Sequence, residues 1–406
     1  MNKKLLAVAV AGVFAAPVAF AQSSVTISGL IKGGYESAKY SNSSKANSSQ
    51  NGVVDDSSRL IFNVKEDLGG GMAAIVQLDM RIKPDDAQGL APTNPSNIVS
   101  GNSFFGLTSS QWGTISLGRR DLHYFNRESN LTDKASLRAD SISLLAYAGG
   151  GGTAVANATR TQNVVHYLSP NWSGFTFILA YSSSPSGTDT DIGSGIRKGY
   201  AWNFNPNYQA ANWQIGYSYW DSKPDGTTTT TCPAIAASSA TGLGCGAGGV
   251  TTTAAAAGAS NQRGDRLYGS YVFPFGLKIG LAWDKSRLKN SASGVTTSKR
   301  DVWSLPIHYT WGNHGIYFHY DWAGQDKGST FNPAAGQIDA KATMWALAYA
   351  YDLSKRTSVA VTYAAINNHS GAAYNFFTNT SLGLGGPGAA AGEDPKMFGV
   401  TMRHAF

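Results

Sequence analysis

The chain ends in the stretch Lys396-Met397-Phe398-Gly399-Val400-Thr401-Met402-Arg403-His404-Ala405-Phe406. Phe398, Val400 and Met402 share one parity with the final Phe406, which predicts a β-strand with one apolar face. A soluble protein gains little from an aromatic last residue on such a strand. A membrane barrel, by contrast, closes its sheet with the last strand and places aromatic residues at the membrane interface. The carboxyl terminus therefore indicates a membrane barrel.

The opposite end of the chain has the pattern of a cleaved export signal. Two lysines and a short apolar run are followed by Ala19-Phe20-Ala21, whose small residues suit a signal-peptidase site. The apolar run is too short to serve as a transmembrane helix. We therefore expect residues 1–21 to be a signal peptide and residues 22–406 to form one exported domain.

Composition restricts how the rest of the chain could cross a membrane. After the signal there is no apolar run of about 18 residues, so a membrane role has to use strands. The formal net charge is +7, and removal of Lys3 and Lys4 leaves 30 basic and 25 acidic residues. This excess is modest and scattered, whereas nucleic-acid binding requires a concentrated basic patch. We therefore expect no nucleic-acid partner.

Alternation of apolar and polar residues predicts about sixteen strands, an even number as bacterial barrels require. In residues 59–65, Leu60, Phe62 and Val64 form an apolar face that we assign to lipid, and the opposite parity is assigned to water. The strands are expected near residues 25–35, 57–66, 72–82, 102–109, 113–120, 160–168, 173–182, 199–207, 211–220, 264–273, 276–285, 299–310, 314–323, 339–351, 356–366 and 396–406.

The connections between these strands alternate between short and long. Short turns are expected at residues 67–71, 110–112, 169–172, 208–210, 274–275, 311–313 and 352–355, and the other connections are long and polar. A barrel with tight periplasmic turns and longer external loops has this pattern. A soluble β-sandwich or propeller has no reason to alternate so regularly, and no repeated blade motif is present. The sequence thus predicts an all-β, 16-stranded antiparallel transmembrane barrel.

An ordered set of motifs resembles the general porins of Gram-negative outer membranes, in particular the neisserial-type trimeric porins of β-proteobacteria. The motifs are Ser24-Val25-Thr26-Ile27-Ser28-Gly29, Ser58-Arg59-Leu60, Lys65-Glu66-Asp67-Leu68-Gly69-Gly70-Gly71, Phe104-Phe105-Gly106-Leu107, Trp112-Gly113-Thr114-Ile115-Ser116-Leu117-Gly118-Arg119, Asn163-Val164-Val165-His166-Tyr167-Leu168-Ser169-Pro170, Leu353-Ser354-Lys355-Arg356-Thr357 and Arg403-His404-Ala405-Phe406. The resemblance implies a homotrimer in outer-membrane lipid and lipopolysaccharide. It also implies a third long loop, about residues 121–159, that folds inward and narrows a water-filled pore.

The same resemblance implies a general diffusion pore for small hydrophilic solutes and inorganic anions, with no cofactor. The basic residues on the water-facing parity are Arg59, Lys65, Arg81, Arg120 and Arg160, and the candidate acidic residues of the loop are Asp121, Glu128, Asp133 and Asp140. Arg59 and Arg160 match the basic cluster of similar porins. The fourth strand lacks a further arginine on this parity, so we expect only a weak to moderate anion preference. Alternatively, these charges form a solvated face that selects nothing.

Two cysteines, Cys232 and Cys245, lie in a stretch rich in Thr, Ala, Ser and Gly. In an oxidising compartment they are expected to form one local disulfide, with two free thiols as the alternative. A zinc site is disfavoured because it needs about four ligands and no other His or Cys lies nearby in sequence.

Catalytic motifs are missing from the sequence. There is neither a G-x-S-x-G elbow nor an H-E-x-x-H metal motif. His314 and His319 are five residues apart on one strand and therefore face opposite sides of the sheet. A hydrolase that uses His166 with a nearby serine, an adhesin or phage receptor based on residues 221–263, and a sugar-specific channel remain as alternatives. The sequence favours a pore rather than an enzyme or a metalloprotein.

Overall fold

A computed structural model describes residues 23–43, 48–85, 99–123, 132–145, 160–185, 199–223, 229–230, 251–252, 260–290, 293–328, 339–377 and 389–406. Seventeen strand segments form one sheet, in which paired segments are antiparallel and the first pairs with the last. Two of these segments continue one another along the first strand, which leaves sixteen strands. The predicted closed, 16-stranded antiparallel barrel is therefore confirmed.

The strands have the following bounds: β1 Ser24–Ser41, β2 Ser49–Asp55 continued by Arg59–Gly69, β3 Met72–Arg81, β4 Ser103–Ser109, β5 Gly113–Arg120, β6 Thr161–Leu168, β7 Phe175–Ser182, β8 Tyr200–Gln209, β9 Trp213–Lys223, β10 Ser260–Val272, β11 Leu277–Asn290, β12 Thr296–Trp311, β13 His314–Ala323, β14 Ala342–Asp352, β15 Thr357–Asn368 and β16 Asp394–Ala405. Both segments of β2 pair with β1, one along each half. A separate ribbon pairs Thr229–Thr230 with Thr251–Thr252.

The carboxyl-terminal strand closes the barrel. Strand β16 pairs with β1 from Leu30 opposite Ala405 to Ser41 opposite Asp394. The main chains of Gly29 and Phe406 exchange two hydrogen bonds, of 3.0 and 3.1 Å. A Cβ at Gly29 would lie 2.4 Å from the Phe406 ring, so this close approach requires glycine. Closure leaves no unpaired sheet edge, as a strand-built membrane protein requires.

The outer face of the barrel is apolar, and most side chains on the inner face are buried. On β11 the alternate residues Ile279, Leu281 and Trp283 point outward, whereas Ala282 and Asp284 on the opposite parity are completely buried. The same alternation recurs around the sheet, and exposed aromatic residues lie at the strand ends. Those at the short-turn end include Trp172, Trp213, Trp311 and Phe406. In the described part of the chain, no helix is long and apolar enough to cross a membrane.

Strands β11 and β12 are longer than the sequence suggested. We expected them to end near residues 285 and 299, but their pairing continues to Lys289 opposite Thr296. The apolar pattern stops at Trp283, and the outward positions that follow are cationic. In the sequence, these charged residues look like part of a loop, although the backbones of the two strands remain paired there. These strands therefore extend beyond their apolar bands at the end of the barrel that carries the longer connections.

Candidate functional site

A group of arginines lies on the inner wall formed by β2 to β6. Arg59 on β2 is directly opposite Arg81 on β3. The Arg81 guanidinium donates hydrogen bonds to the Asp79 carboxylate and to the Ser57 hydroxyl, each at 2.8 Å. Asp79 is itself buried and also accepts a hydrogen bond from the Asn102 amide. Strand pairing thus places two like charges side by side and holds one of them with a buried carboxylate.

Arg160 lies immediately before β6 and belongs to the same wall. Its backbone has a φ of 52°, in the left-handed region, and its amide donates a 3.0 Å hydrogen bond to Asp121. Its guanidinium Nε is 3.8 Å from the same carboxylate. Burial lowers the pKa of Arg160 to about 10, an effect that Asp121 opposes. Arg160 therefore remains positively charged at neutral pH.

The alternation used in the sequence analysis is interrupted beside Arg160. The pairing of β5 with β6 shifts register between Gly118 and Arg120, and Asn163 has a φ of 53°. The rule that every second residue faces the same side of the sheet therefore fails between Arg160 and His166. Side-chain orientation in this part of the wall has to be read from the contacts.

Arg120 stacks on an aromatic ring of the neighbouring strand. Its guanidinium carbon is 3.8 Å from the centroid of Phe104 on β4, within the range of a cation–π contact. Arg119 lies close enough to interact electrostatically with Arg81, Asp79 and Asp121. The sequence analysis overlooked Arg119 because strict alternation assigns it to the lipid face. The glycine at position 118 was the one local signal in the sequence that alternation could end there, and in the structure it has a φ of 144°.

Lys65 is remote from this arginine cluster. It lies six residues along β2 from Arg59, or about 20 Å at 3.3 Å per residue. There it borders a cavity of about 480 Å³ near the short turns, together with Asp67, Thr108 and Ser109. The structure therefore brings together Arg59, Arg81, Arg119, Arg120 and Arg160, and leaves Lys65 at the other end of the strand.

The candidate acidic residues lie in different surroundings. Asp121 faces Arg160 on the same wall. Asp133 forms a 2.9 Å ion pair with Arg403 on β16. Asp140 is buried and accepts a 3.0 Å hydrogen bond from the Ile142 amide. Glu128, both cysteines of the expected disulfide and the expected signal peptide lie outside the described residues.

The segment of residues 132–145 contacts inward-facing side chains of β1 and of the turn within β2. It contains a 3-10 turn, Leu137–Ala139, and a short helix α1, Ile142–Leu145. Ser136 donates a hydrogen bond to Glu36 on β1, and the Arg138 guanidinium is 3.3 Å from the same carboxylate. The Leu137 amide donates to Asp56 at 3.1 Å. Asp56 also forms a buried 2.7 Å ion pair with Lys32.

The same segment contacts β12 and β13. His319 on β13 donates a 2.7 Å hydrogen bond from Nε2 to the Ala139 carbonyl, and its Nδ1 is 2.6 Å from Asp321. Arg300 on β12 donates a 2.8 Å hydrogen bond to the Leu145 carbonyl. Both acceptors in the segment are main-chain groups, so strand side chains complete the hydrogen bonding of a short helix and turn that cannot satisfy all of their own carbonyls.

The inner face of β14 is lined by apolar, mostly small residues instead of the expected polar ones, and that of β15 combines such residues with Ser358 and Thr362. Five inward residues of β14 are almost completely buried: Ala342, Met344, Ala346, Ala348 and Ala350. They belong to one hydrophobic cluster with Ala135, Ala139, Leu144 and Leu145 of the segment. The expectation that the inward parity faces water is therefore wrong for these strands, because residues 132–145 pack against them. Small side chains leave room for that packing.

A second loop joins this cluster. Residues 372–377, which follow β15, are buried, and the Phe377 amide donates a 2.9 Å hydrogen bond to Ser143. The Tyr374 ring lies 5.6 Å from the Arg300 guanidinium, and complete burial raises the pKa of Tyr374 to about 12. The sequence analysis did not predict this contribution. Its aromatic residues, Tyr374, Phe376 and Phe377, were the available signal.

The side chains of Ser218, His123 and Asp284 contact one another in a serine–histidine–aspartate arrangement like that of a hydrolytic triad. Their geometry does not support catalysis. His123 Nδ1 is 2.9 Å from the Ser218 hydroxyl, whereas its Nε2 is 3.5 Å from Asp284. All three side chains are completely buried, and Ser218 also accepts a hydrogen bond from Asn203. Burial lowers the pKa of His123 despite the nearby carboxylate. The arrangement holds residue 123 between β9 and β11.

No group of three His, Cys, Asp or Glu side chains suited to metal binding occurs among the described residues. His314 contacts the Tyr349 hydroxyl on the outer surface, whereas His319 is completely buried inside. The two histidines thus lie on opposite faces of β13.

Comparison with known proteins links this architecture to one group. The sequence pattern of a family described as Gram-negative porin matches residues 6–371. An outer membrane porin of Bordetella pertussis is 30% identical over 215 residues, which cover 47% of this chain and 50% of that protein. The chain thus spans about half the length of this relative. Outer membrane porin protein 32 of Delftia acidovorans is 27% identical over 444 residues, covering 100% of both chains.

Solved structures share the same fold. An anion-selective porin from Comamonas acidovorans has a TM-score of 0.68 at 21% identity, covering 95% of this chain and 100% of its own. The outer membrane protein OmpT of Vibrio cholerae has a TM-score of 0.61 at 12% identity, covering 95% and 98%. At these identities the likeness establishes the barrel fold alone.

Proposed function

This chain belongs to the Gram-negative porin family, and we propose that it is a general diffusion pore with a weak to moderate preference for anions. As a member of this family it is an outer-membrane channel and not an enzyme. The proposal concerns what passes through the channel. A water-filled constriction selects solutes by size and by the charge of its wall, and it needs no cofactor to do so.

The arginine cluster is the single observation that carries the proposed anion preference. Five guanidinium groups share the wall of β2 to β6, and the acidic residues that interact electrostatically with them are Asp79, Asp121 and, at Arg59, Asp133. The wall therefore keeps an excess of positive charge next to the channel. Such an excess raises the local concentration of anions and lowers that of cations. The anion-selective porin from Comamonas acidovorans shares the fold and makes this behaviour a reasonable expectation.

We further propose that about residues 121–159 act as a constriction loop inside the barrel. The contacts of residues 132–145 with β1, β12, β13 and the alanines of β14 support this arrangement. Because the contacts with β12, β13 and β14 lie on strands away from the arginine cluster, the loop would fill that side of the barrel and leave the charged wall next to the remaining opening. The remaining acidic residues of the loop, Glu128 and Asp133, would then contribute to a field across the pore.

The organisation of the whole protein is proposed on the same basis. Residues 1–21 would be the signal peptide, residues 22–406 the barrel domain, and Cys232 and Cys245 a local disulfide in an external loop. A homotrimer is supported by one Vibrio cholerae OmpT structure described as a trimer form. Outer-membrane lipid and lipopolysaccharide would surround the apolar outer face.

Reversal potentials across a planar bilayer in a salt gradient test the anion preference. We expect the purified protein to pass chloride more readily than potassium, and the Arg59→Gln/Arg160→Gln variant to lose most of that preference. Lys285→Gln is the matched control because Lys285 lies on the outer face of β11, away from the channel. Cation preference in the unmodified protein would overturn the proposal. Conductance steps in groups of three would support the homotrimer.

A further inference from the structure

A buried carboxylate, that of Asp79 on β3, lies among the arginines of the inner wall. Its side chain is 3% exposed, and the side chain of Arg81, with which it pairs, is 5% exposed. Arg59 and Arg160 are also close enough to interact electrostatically with it. Two roles are open to such a carboxylate. It can neutralise part of the positive charge of the wall, or it can fix the position of a guanidinium.

Asp79 is itself held in place by the residues around the start of β4. Its amide donates a 2.9 Å hydrogen bond to the Ser103 hydroxyl, and its carbonyl accepts one of 2.9 Å from the Gly101 amide. Its carboxylate oxygen Oδ2 accepts a 3.1 Å hydrogen bond from the Asn102 amide. A Cβ at Gly101 would lie 2.0 Å from the Asp79 Cγ, so this close approach requires glycine. The carboxylate is therefore a fixed point on the wall.

Arg81 is held against the wall at both ends of its guanidinium. Nη2 donates a hydrogen bond to Asp79 Oδ2, and Nη1 donates one to the Ser57 hydroxyl, each at 2.8 Å. Ser57 lies in the turn within β2, and its amide donates to the Asp55 carboxylate. Arg59 lies directly opposite Arg81, and like charges that are directly opposite in a sheet repel each other. The two acceptors thus hold Arg81 against this repulsion.

The other position open to the Arg81 side chain is the channel. Arg81 has the inward parity of β3, and a buried guanidinium that loses its carboxylate is stabilised by moving into water. A long side chain that extends into a water-filled constriction reduces the cross-section available to solutes. The position of this side chain therefore affects the size of the pore as well as its charge.

We propose that Asp79 is a positioning residue that keeps Arg81 against the wall and thereby keeps the constriction open. This inference deepens the proposed function and rests on its placement of the arginine cluster beside the conducting path. Neutralisation of charge by Asp79 does not require the hydrogen bond to Oδ2, whereas retention of Arg81 does. The two roles can therefore be separated by substitution.

Two substitutions of Asp79 remove the same charge and differ in the hydrogen-bond acceptor that remains. In Asp79→Asn the amide oxygen can replace Oδ2, and the NH2 group then replaces Oδ1, which accepts no hydrogen bond from the described residues. Asp79→Ala leaves no acceptor. Single-channel conductance is measured in about 1 M potassium chloride, where a Debye length of about 3 Å screens the wall charge. We expect about twofold lower conductance in Asp79→Ala and nearly unchanged conductance in Asp79→Asn.

A second substitution separates release of Arg81 from a general distortion of the wall. The Asp79→Ala/Arg81→Gln variant has no guanidinium to release at this position, so its conductance should return to that of the unmodified protein. Asp79→Val also lacks the acceptor and suits a strand, and it should conduct like Asp79→Ala. Equal conductance of the Ala, Val and Asn variants of Asp79 would refute the positioning role. Failure of Arg81→Gln to restore conductance would refute it as well.

Failure of this inference and failure of the anion preference are distinguishable. In dilute salt, Asp79→Asn and Asp79→Ala should both raise the chloride-to-potassium permeability ratio, because each removes a negative charge from the wall. The ratio therefore measures the charge, and the difference in conductance at high salt measures the position of Arg81. Cation preference in the unmodified protein, together with the expected difference in conductance, would refute the pore proposal alone.

Discussion

Two walls of this barrel obey the same alternation and have opposite interiors. On β2 and β3 the inward positions include Arg59, Asn63, Gln77 and Arg81. On β14 the inward positions are alanines and one methionine, almost completely buried. Both strands present apolar residues outward. The residue types on the outward face therefore depend on the membrane. Those on the inward face depend on which part of the chain lies inside the barrel.

The difference follows from the segment of residues 132–145. It satisfies its polar groups with Glu36, Asp56, Arg300 and His319, and it packs its apolar residues against β14 and β15. Where the segment lies, small side chains make room. On the opposite wall, large cationic side chains keep their charge. One side of the barrel is thus packed by the segment and the other is charged, and the segment meets the charged side at Asp56 in the turn within β2.

The largest expected effect comes from breaking the buried pair that holds the segment to β1. Glu36→Gln removes the carboxylate that pairs with the Arg138 guanidinium, which should weaken docking of the segment by about 3 kcal/mol. Hydrogen exchange of the amides of residues 135–145 measures the loss. Glu66→Gln, on an exposed position of β2, is the control. Unchanged exchange in Glu36→Gln would show that this pair does not hold the segment.

Overpacking the alanine wall should have the next largest effect. Ala346→Phe places a ring where residues 132–145 pack, and should cost about 1–3 kcal/mol of docking free energy. Leu347→Phe adds a ring one residue away on the outer face, where it should have little effect. The same hydrogen-exchange measurement compares the two variants. Equal effects would mean that the inner wall is not packed as described.

A pH-dependent effect is expected at His123, which is buried against β9 and β11, between the two walls in strand order. Because burial lowers its folded-state pKa, the folded protein binds fewer protons than the unfolded one below pH 6.5. The contribution of neutral His123 to the free energy of unfolding is therefore complete above pH 6.5. It falls on acidification by up to about 1.4 kcal/mol per pH unit. Hydrogen exchange of residues 121–123 from pH 7 to 5 follows it. The His123→Gln variant should lose this pH dependence. If hydrogen exchange in the variant still depends on pH, another group is responsible.

The smallest effect is expected from a single charge on the arginine wall. A unit charge about 10 Å from a passing ion in water contributes about 0.4 kcal/mol, attractive for an anion and repulsive for a cation, so the preference between the two changes about fourfold. Arg119→Gln should lower the chloride-to-potassium permeability ratio by about this factor in planar bilayers. Lys285→Gln should leave the ratio unchanged. No change with Arg119→Gln would place that guanidinium outside the conducting path.

The sequence predicted the barrel well because alternation and turn length are local properties. Sixteen strands, the closing role of Phe406 and the outward apolar face required no knowledge of distant contacts. The extensions of β11 and β12 were missed because Arg287 and Lys289 look like loop residues in sequence. Arg119 was missed because the register shift at Gly118 depends on pairing with β6.

By itself, the sequence determined the side of each regular strand that meets hydrocarbon, since period-two geometry and lipid leave one solution for a chain without long apolar helices. Tertiary structure alone decided the contents of the interior. The contacts of Ser136 with Glu36, Ala139 with His319 and Leu145 with Arg300 join residues 100 to 180 positions apart. Such pairings depend on closure of the whole sheet, which no local pattern encodes.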